Sequence, residues 1–70
     1  MPGRHPAVEA IVKYFAWAHL PPHLQEVSRP FGELAERVAD TLSGPEATVC
    51  LRKLLEAKDC AVRAALDAAR

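Results

Sequence analysis

No stretch of this sequence approaches the run of about 20 apolar residues that a membrane-spanning helix needs, so no segment is expected to cross a bilayer. The opening Met-Pro-Gly-Arg-His-Pro lacks the apolar core of a secretory signal, which makes the cytoplasm the expected compartment. Neither sign of charge is in excess, with nine basic and nine acidic residues spread along both halves. Proteins that grip duplex nucleic acid cluster Lys and Arg to neutralise phosphates, so a duplex is not an expected partner. Glycines number three and none lie together, which excludes a phosphate-cradling glycine loop. Ser28 and Ser43 read as helix caps, and no Gly-x-Ser-x-Gly elbow is present. The carboxylate pairs Glu33/Glu36 and Glu56/Asp59 fall on solvated helix faces rather than around a shared pocket. The chain is therefore read as a binding protein and not an enzyme, with no catalytic residue, metal or cofactor.

Cysteine is also scarce. Cys50 and Cys60 lie ten residues apart in one helical pattern, about 15 Å of axial rise. A disulfide needs Cα atoms within about 7 Å, so the two read as buried small hydrophobes in a reducing compartment. His5, His19 and His23 stand far from both in sequence, and zinc-ligand spacing is missing.

What the chain does have is helical periodicity. Residues 1–5 read as a flexible tail, and 6–70 as a single all-α domain with helices over about 6–19, 21–42 and 45–69. In the first, Ala7, Val8, Ile11, Val12, Phe15 and Ala18 recur at three- and four-residue intervals, and Pro21-Pro22 ends the pattern. In the second, Leu24, Val27, Phe31, Leu34, Val38 and Leu42 form the apolar stripe. Pro30 interrupts it, so a kink is expected there with the same face kept inward; the alternative is a fresh start capped by Ser28. Gly44 is expected to end this helix, and Ser43 with Glu46 to form a capping box for the third. The third should carry ion pairs at Arg52/Glu56, Asp59/Arg63 and Arg63/Asp67. The second and third helices make an antiparallel helical hairpin behind the short N-terminal helix.

Seventy residues bury too little surface for much stability on their own, roughly 3–5 kcal/mol from a lone core. The apolar residues of the third helix also exceed one stripe, with Val49, Cys50, Leu51, Leu54, Leu55, Cys60, Val62 and Leu66 running more than halfway round. A homo-oligomer is the expected remedy.

All four aromatic residues, Tyr14, Phe15, Trp17 and Phe31, fall in one stretch with His19, His23, Gln25 and Arg29. Phe15 and Phe31 sit on apolar stripes and read as core. Trp17 lies off the stripe, and Arg29 has Glu26 and Glu33 nearby. Aromatic faces beside amides, imidazoles and a guanidinium suit recognition of a base and a phosphate.

The pattern Phe15-x-Trp17-x-His19-x-Pro21-Pro22-x-x-Gln25, then Leu34-Ala35, Leu51-x-Lys53-Leu54-x-Glu56-Ala57 and an Ala-rich end, resembles a phage helical-hairpin family. Its members include the anti-CBASS and Thoeris anti-defence sponges. The resemblance spans residues 15–70. It implies a compact oligomer, often a hexamer, that encloses a cyclic oligonucleotide or cyclic ADP-ribose-like signal between subunits without cleaving it. It would act in the cytoplasm of an infected host. In that family an aromatic just before the hairpin stacks on bases, and a basic residue on the next helix meets phosphate. Trp17 matches the first, and Arg29 is the candidate for the second, with Arg37 as the alternative. His19 and Gln25 would orient the pair. Pro30, Leu55 and Asp59 depart from the family pattern. A small structural or protein-interaction module with no nucleotide ligand is the other expectation.

Overall fold

A computed structural model describes residues 4–68, and every regular element among them is helical. Helix α1 covers Pro6–Val12 and passes into a single 3₁₀ turn, Lys13–Phe15. Helix α2 covers Pro22–Thr41 and α3 covers Pro45–Ala68. None is long and apolar enough to cross a membrane.

The tail expected over residues 1–5 is anchored at the two of its positions that are described. His5 takes the cap position of α1, where its Nδ1 accepts a hydrogen bond from the Ala7 amide at 3.0 Å, and Pro6 opens the helix. Arg4 donates to the carboxylates of Glu36 and Asp40 on α2, with Nε 3.0 Å from Asp40 Oδ1. Those two bonds, that to Glu36 first, raise its pKa further above the ordinary guanidinium range. Residues 1–3 of the expected tail lie outside the described residues.

Helix α1 stops well short of residue 19. Its stripe of Val8, Ile11, Val12 and Phe15 is buried as expected. Beyond Phe15 the backbone leaves the helix, with Ala16 extended at φ −57° and ψ 134°. Seven residues are too few for an intrinsically stable helix, so packing decides where α1 ends. Unwinding here sinks Phe15 to 2% exposure and lays Trp17 on α2. Proline restricts only the residue before it, and so could not have signalled a break five positions earlier.

Pro22 sits at the first position of α2, and the carbonyl of Pro21 accepts the amides of Leu24 and Gln25. The helix runs unbroken through Pro30, so Ser28 is an interior residue and not a cap. The buried face is Leu24, Ser28, Gly32, Ala35 and Val38. Leu24 and Val38 of the expected stripe lie on it, but its middle is turned by one residue: Val27 and Phe31 are half-buried, while Leu34 and Leu42 are exposed. Small residues at 28, 32 and 35 let the 3₁₀ turn and Trp17 approach closely, which a periodicity of large side chains does not reveal.

Leu42, Ser43 and Gly44 join α2 to α3, and these two helices make the most extensive contact in the molecule. Helix α2 already ends at Thr41. Gly44, at φ 92°, instead precedes α3, and its carbonyl accepts the amides of Ala47 and Thr48. The cap position is thus Gly44, which has no side chain, and the expected Ser43/Glu46 capping box does not form.

On α3, Leu51 is fully buried, and Leu54, Leu55 and Val62 are half-buried. Both cysteines are free and exposed, which corrects the expectation of burial. The ion pairs are also different: Lys53 meets Glu56 at 4.0 Å and Lys58 meets Asp59 at 2.9 Å. Arg63 turns instead toward the Cys60 sulfur, 3.4 Å away.

Candidate functional site

Trp17 and Arg29, twelve residues apart across the loop, come together. The guanidinium carbon of Arg29 lies 5.3 Å from the centroid of the Trp17 ring. Gly32 makes this possible. A Cβ there would stand 2.7 Å from Trp17 Cδ1 and 3.0 Å from the Phe15 carbonyl oxygen, so only glycine lets the indole lie against the helix. Arg29 also pairs with Glu33 one turn on, at 3.5 Å, and its side chain is 58% exposed. The site is therefore a half-buried aromatic ring with an exposed cation over it and a carboxylate beside the cation. Arg37 is exposed and makes no ion pair among the described residues.

Gln25 is near in sequence but already engaged. Its amide nitrogen donates to the carbonyl oxygens of Leu20 at 2.7 Å and Ala18 at 3.1 Å. These bonds satisfy loop carbonyls that no helix pairs, so Gln25 holds the turn that presents Trp17 and acts as a positioning residue.

His19 falls elsewhere. It is exposed and borders a groove of about 440 Å³ between the 3₁₀ turn and α3, together with Lys13, Tyr14, Leu20, Lys58, Asp59 and Arg63. The structure thus unites Trp17 with Arg29, assigns Gln25 to the supporting loop, and separates His19 from the other three. Two further recesses are present. One of about 270 Å³ runs along the Trp17 edge past Phe15, Gly32, Glu9 and Glu36. The largest, about 690 Å³, lies at the α2–α3 turn, where Arg4 and Asp40 are bound to each other.

Sequence reasoning missed the basic lining of the second groove. The stem of Lys58 is sunk among the apolar residues of α3, with the side chain only 14% exposed. Lys13 and Tyr14 were the available signal, since they adjoin in the one aromatic stretch, and the Lys13 ammonium sits 5.3 Å from the Tyr14 ring centroid.

The chain matches no known family's sequence profile, no curated protein sequence and no solved structure.

Proposed function

We propose that this chain is a self-associating antiparallel helical hairpin that binds and sequesters a cyclic nucleotide-type signal at its subunit boundaries, without cleaving it. The observation that carries the reading is the Trp17–Arg29 pair on its Gly32 shelf. These are the residue types that meet base and phosphate in the phage sponges the sequence resembles. Energetics favour an exchange at this ring. An exposed cation–π contact is worth about 0.5–1 kcal/mol, while stacking a base on an aromatic side chain is worth about 1–3 kcal/mol. A base that displaces the guanidinium frees it to reach the phosphate that the base carries. Glu33 opposes phosphate binding by its charge, and turning Arg29 away from it costs little because the pair is exposed.

The test is the melting temperature against a panel of cyclic di- and trinucleotides and cyclic ADP-ribose isomers. A ligand at a hundred times its dissociation constant adds about 2.7 kcal/mol, which moves the midpoint of so small a domain by many degrees. Trp17→Ala is expected to abolish the shift while keeping helicity and oligomer size. No shift with any of them would overturn the reading.

A second reading, a protein-interaction module, draws on a different feature. Val27, Phe31, Leu34, Val38 and Thr41 on α2 repeat at intervals of four and three, as do Cys50, Leu54, Ala57, Ala61, Ala64 and Ala68 on α3. Heptad spacing of this kind is what helices use to pack on other helices. Leu34, Cys50, Ala57, Ala64 and Ala68 in these rows are exposed. If that surface takes a foreign protein and not a second copy, Trp17→Ala should have no effect on the response to any nucleotide.

A further inference from the structure

The groove between the 3₁₀ turn and α3 is distinct from the Trp17–Arg29 pair, and its chemistry points to a ligand of its own. Its lining holds three permanent cations, Lys13, Lys58 and Arg63, against one carboxylate, Asp59, in a chain whose net charge is zero. That carboxylate is already neutralised by Lys58 at 2.9 Å. Of the other described cations, Arg4 is answered by Glu36 and Asp40, Arg29 by Glu33 and Lys53 by Glu56, while Arg37 and Arg52 are unpaired but stand singly, outside the groove. Lys13 and Arg63 have no carboxylate within 4 Å among the described residues. Arg63 is left with a sulfur at 3.4 Å, although Asp59 and Asp67 stand four residues to either side of it.

The same groove has an aromatic wall. Tyr14 is 60% exposed, the most open of the large apolar side chains, with the Lys13 ammonium near its ring. Burying its ring under another flat group would remove apolar surface from water and release Lys13 toward an anion. His19 adds a further donor on the Tyr14 side. The volume, about 440 Å³, is within the range of small-molecule sites. Uncompensated cations set beside an exposed ring match a phosphate joined to an aromatic base.

We propose that this groove binds a nucleoside phosphate, with the base on Tyr14 and the phosphate between Lys13, Arg63 and Lys58. The proposal is independent of the role given to Trp17, and its test separates the two. Isotope-labelled protein is titrated with AMP, and with adenosine and inorganic phosphate as half-ligands, while amide signals are followed by NMR. AMP should move the signals of residues 13, 14, 19 and 58–63. Adenosine and phosphate should each bind at least about tenfold more weakly than AMP, since each lacks one set of contacts. The double variant Lys13→Gln/Arg63→Gln, at two exposed positions, should keep its helicity and weaken AMP at least about tenfold, the loss expected for charge-assisted hydrogen bonds. Trp17→Ala should leave AMP binding at the groove unchanged. Signals that stay still at millimolar AMP overturn the proposal. So does AMP binding that survives the double variant, or inorganic phosphate that binds as tightly as AMP.

Discussion

Ser28 is completely buried, and its hydroxyl has no hydrogen-bond partner among the described residues. A buried hydroxyl left unpaired costs about 1–3 kcal/mol, and serine is also a poorer helix former than alanine. Ser28→Ala should therefore stabilise the protein by about 1 kcal/mol, a rise of roughly 4–8 °C in melting temperature for a domain of this size. A fall on thermal denaturation would mean that the hydroxyl has a partner in solution. Gly32 gives the opposite case. Alanine is worth about 1 kcal/mol more than glycine inside a helix, but here its methyl would press on Trp17 Cδ1 and on a backbone carbonyl. Gly32→Ala should drive the only tryptophan off α2, seen as a red shift and quenching of its emission, with a net loss of stability. An unmoved spectrum with raised stability would show that the indole does not rest there. Much at this scale was legible in the sequence, because Trp17 lies off the stripe of its helix while Phe15 lies on it. The partner of Trp17 was not. Glycine announces a close approach only once the approaching group is known, and the bonds by which Gln25 holds its own loop show only in the fold.

Among the elements, α1 is the one that cannot stand alone. Seven residues fall below the length at which a helix persists in water, so α1 depends on its buried stripe and on Arg4 at its entrance. Arg4 bridges from the start of α1 to Glu36 and Asp40 in the second half of α2, and its Nε also lies 3.6 Å from Glu9. Because its pKa is raised on folding, its contribution persists at every pH below the ordinary guanidinium value and is lost only as pH climbs through the folded one. Salt is then the practical probe, since exposed charge pairs are screened within a few ångströms at 1 M. Arg4→Ala should speed hydrogen exchange across Val8–Val12 while leaving the middle of α3 protected, and high salt should reproduce part of that effect in the unaltered protein. Equal exchange with and without Arg4 would make the anchor idle. The order and type of all three helices followed from periodicity and proline placement, and α3 was read almost to the residue. The end of α1 was not, because tertiary packing of Phe15 and Trp17 sets it. The inner face of α2 was misread in part for a related reason: Leu24 and Val38 of the expected stripe are buried, but between them Ser28, Gly32 and Ala35 take the places expected for Val27, Phe31 and Leu34.

The molecule as a whole exposes more than its size requires. Its accessible surface is 4964 Å², against about 4,300 Å² expected for a compact monomer of 7.6 kDa. The body is 43 Å long and 20 Å wide. One side of the α2–α3 pair is already occupied: Glu36 meets Arg4, Arg29 meets Trp17, and Asp59 and Arg63 border the 3₁₀ turn. Val27 and Leu34, two residues back from Arg29 and Glu36, lie about 200° round the helix, and Ala57 and Ala61 stand in the same relation to Asp59 and Arg63. Val38 in these rows is buried and Phe31 and Leu54 pack against the core, so the rows offer outward only their open members, Leu34 on α2 and Cys50, Ala57, Ala64 and Ala68 on α3, with Val27 half-open. A second copy turned end for end would set the large residues Val27 and Leu34 of each against the small residues at the end of α3 of the other. Leu34, at 48% exposure, is the probe. Leu34→Asp places a charge in that face without touching the monomer's buried core, and should shift sedimentation at micromolar concentration from an oligomer to a single mass near 7.6 kDa with helicity kept. If the unaltered chain already sediments as a monomer, the face belongs to another protein, and a signal held between subunits has no subunits to hold it.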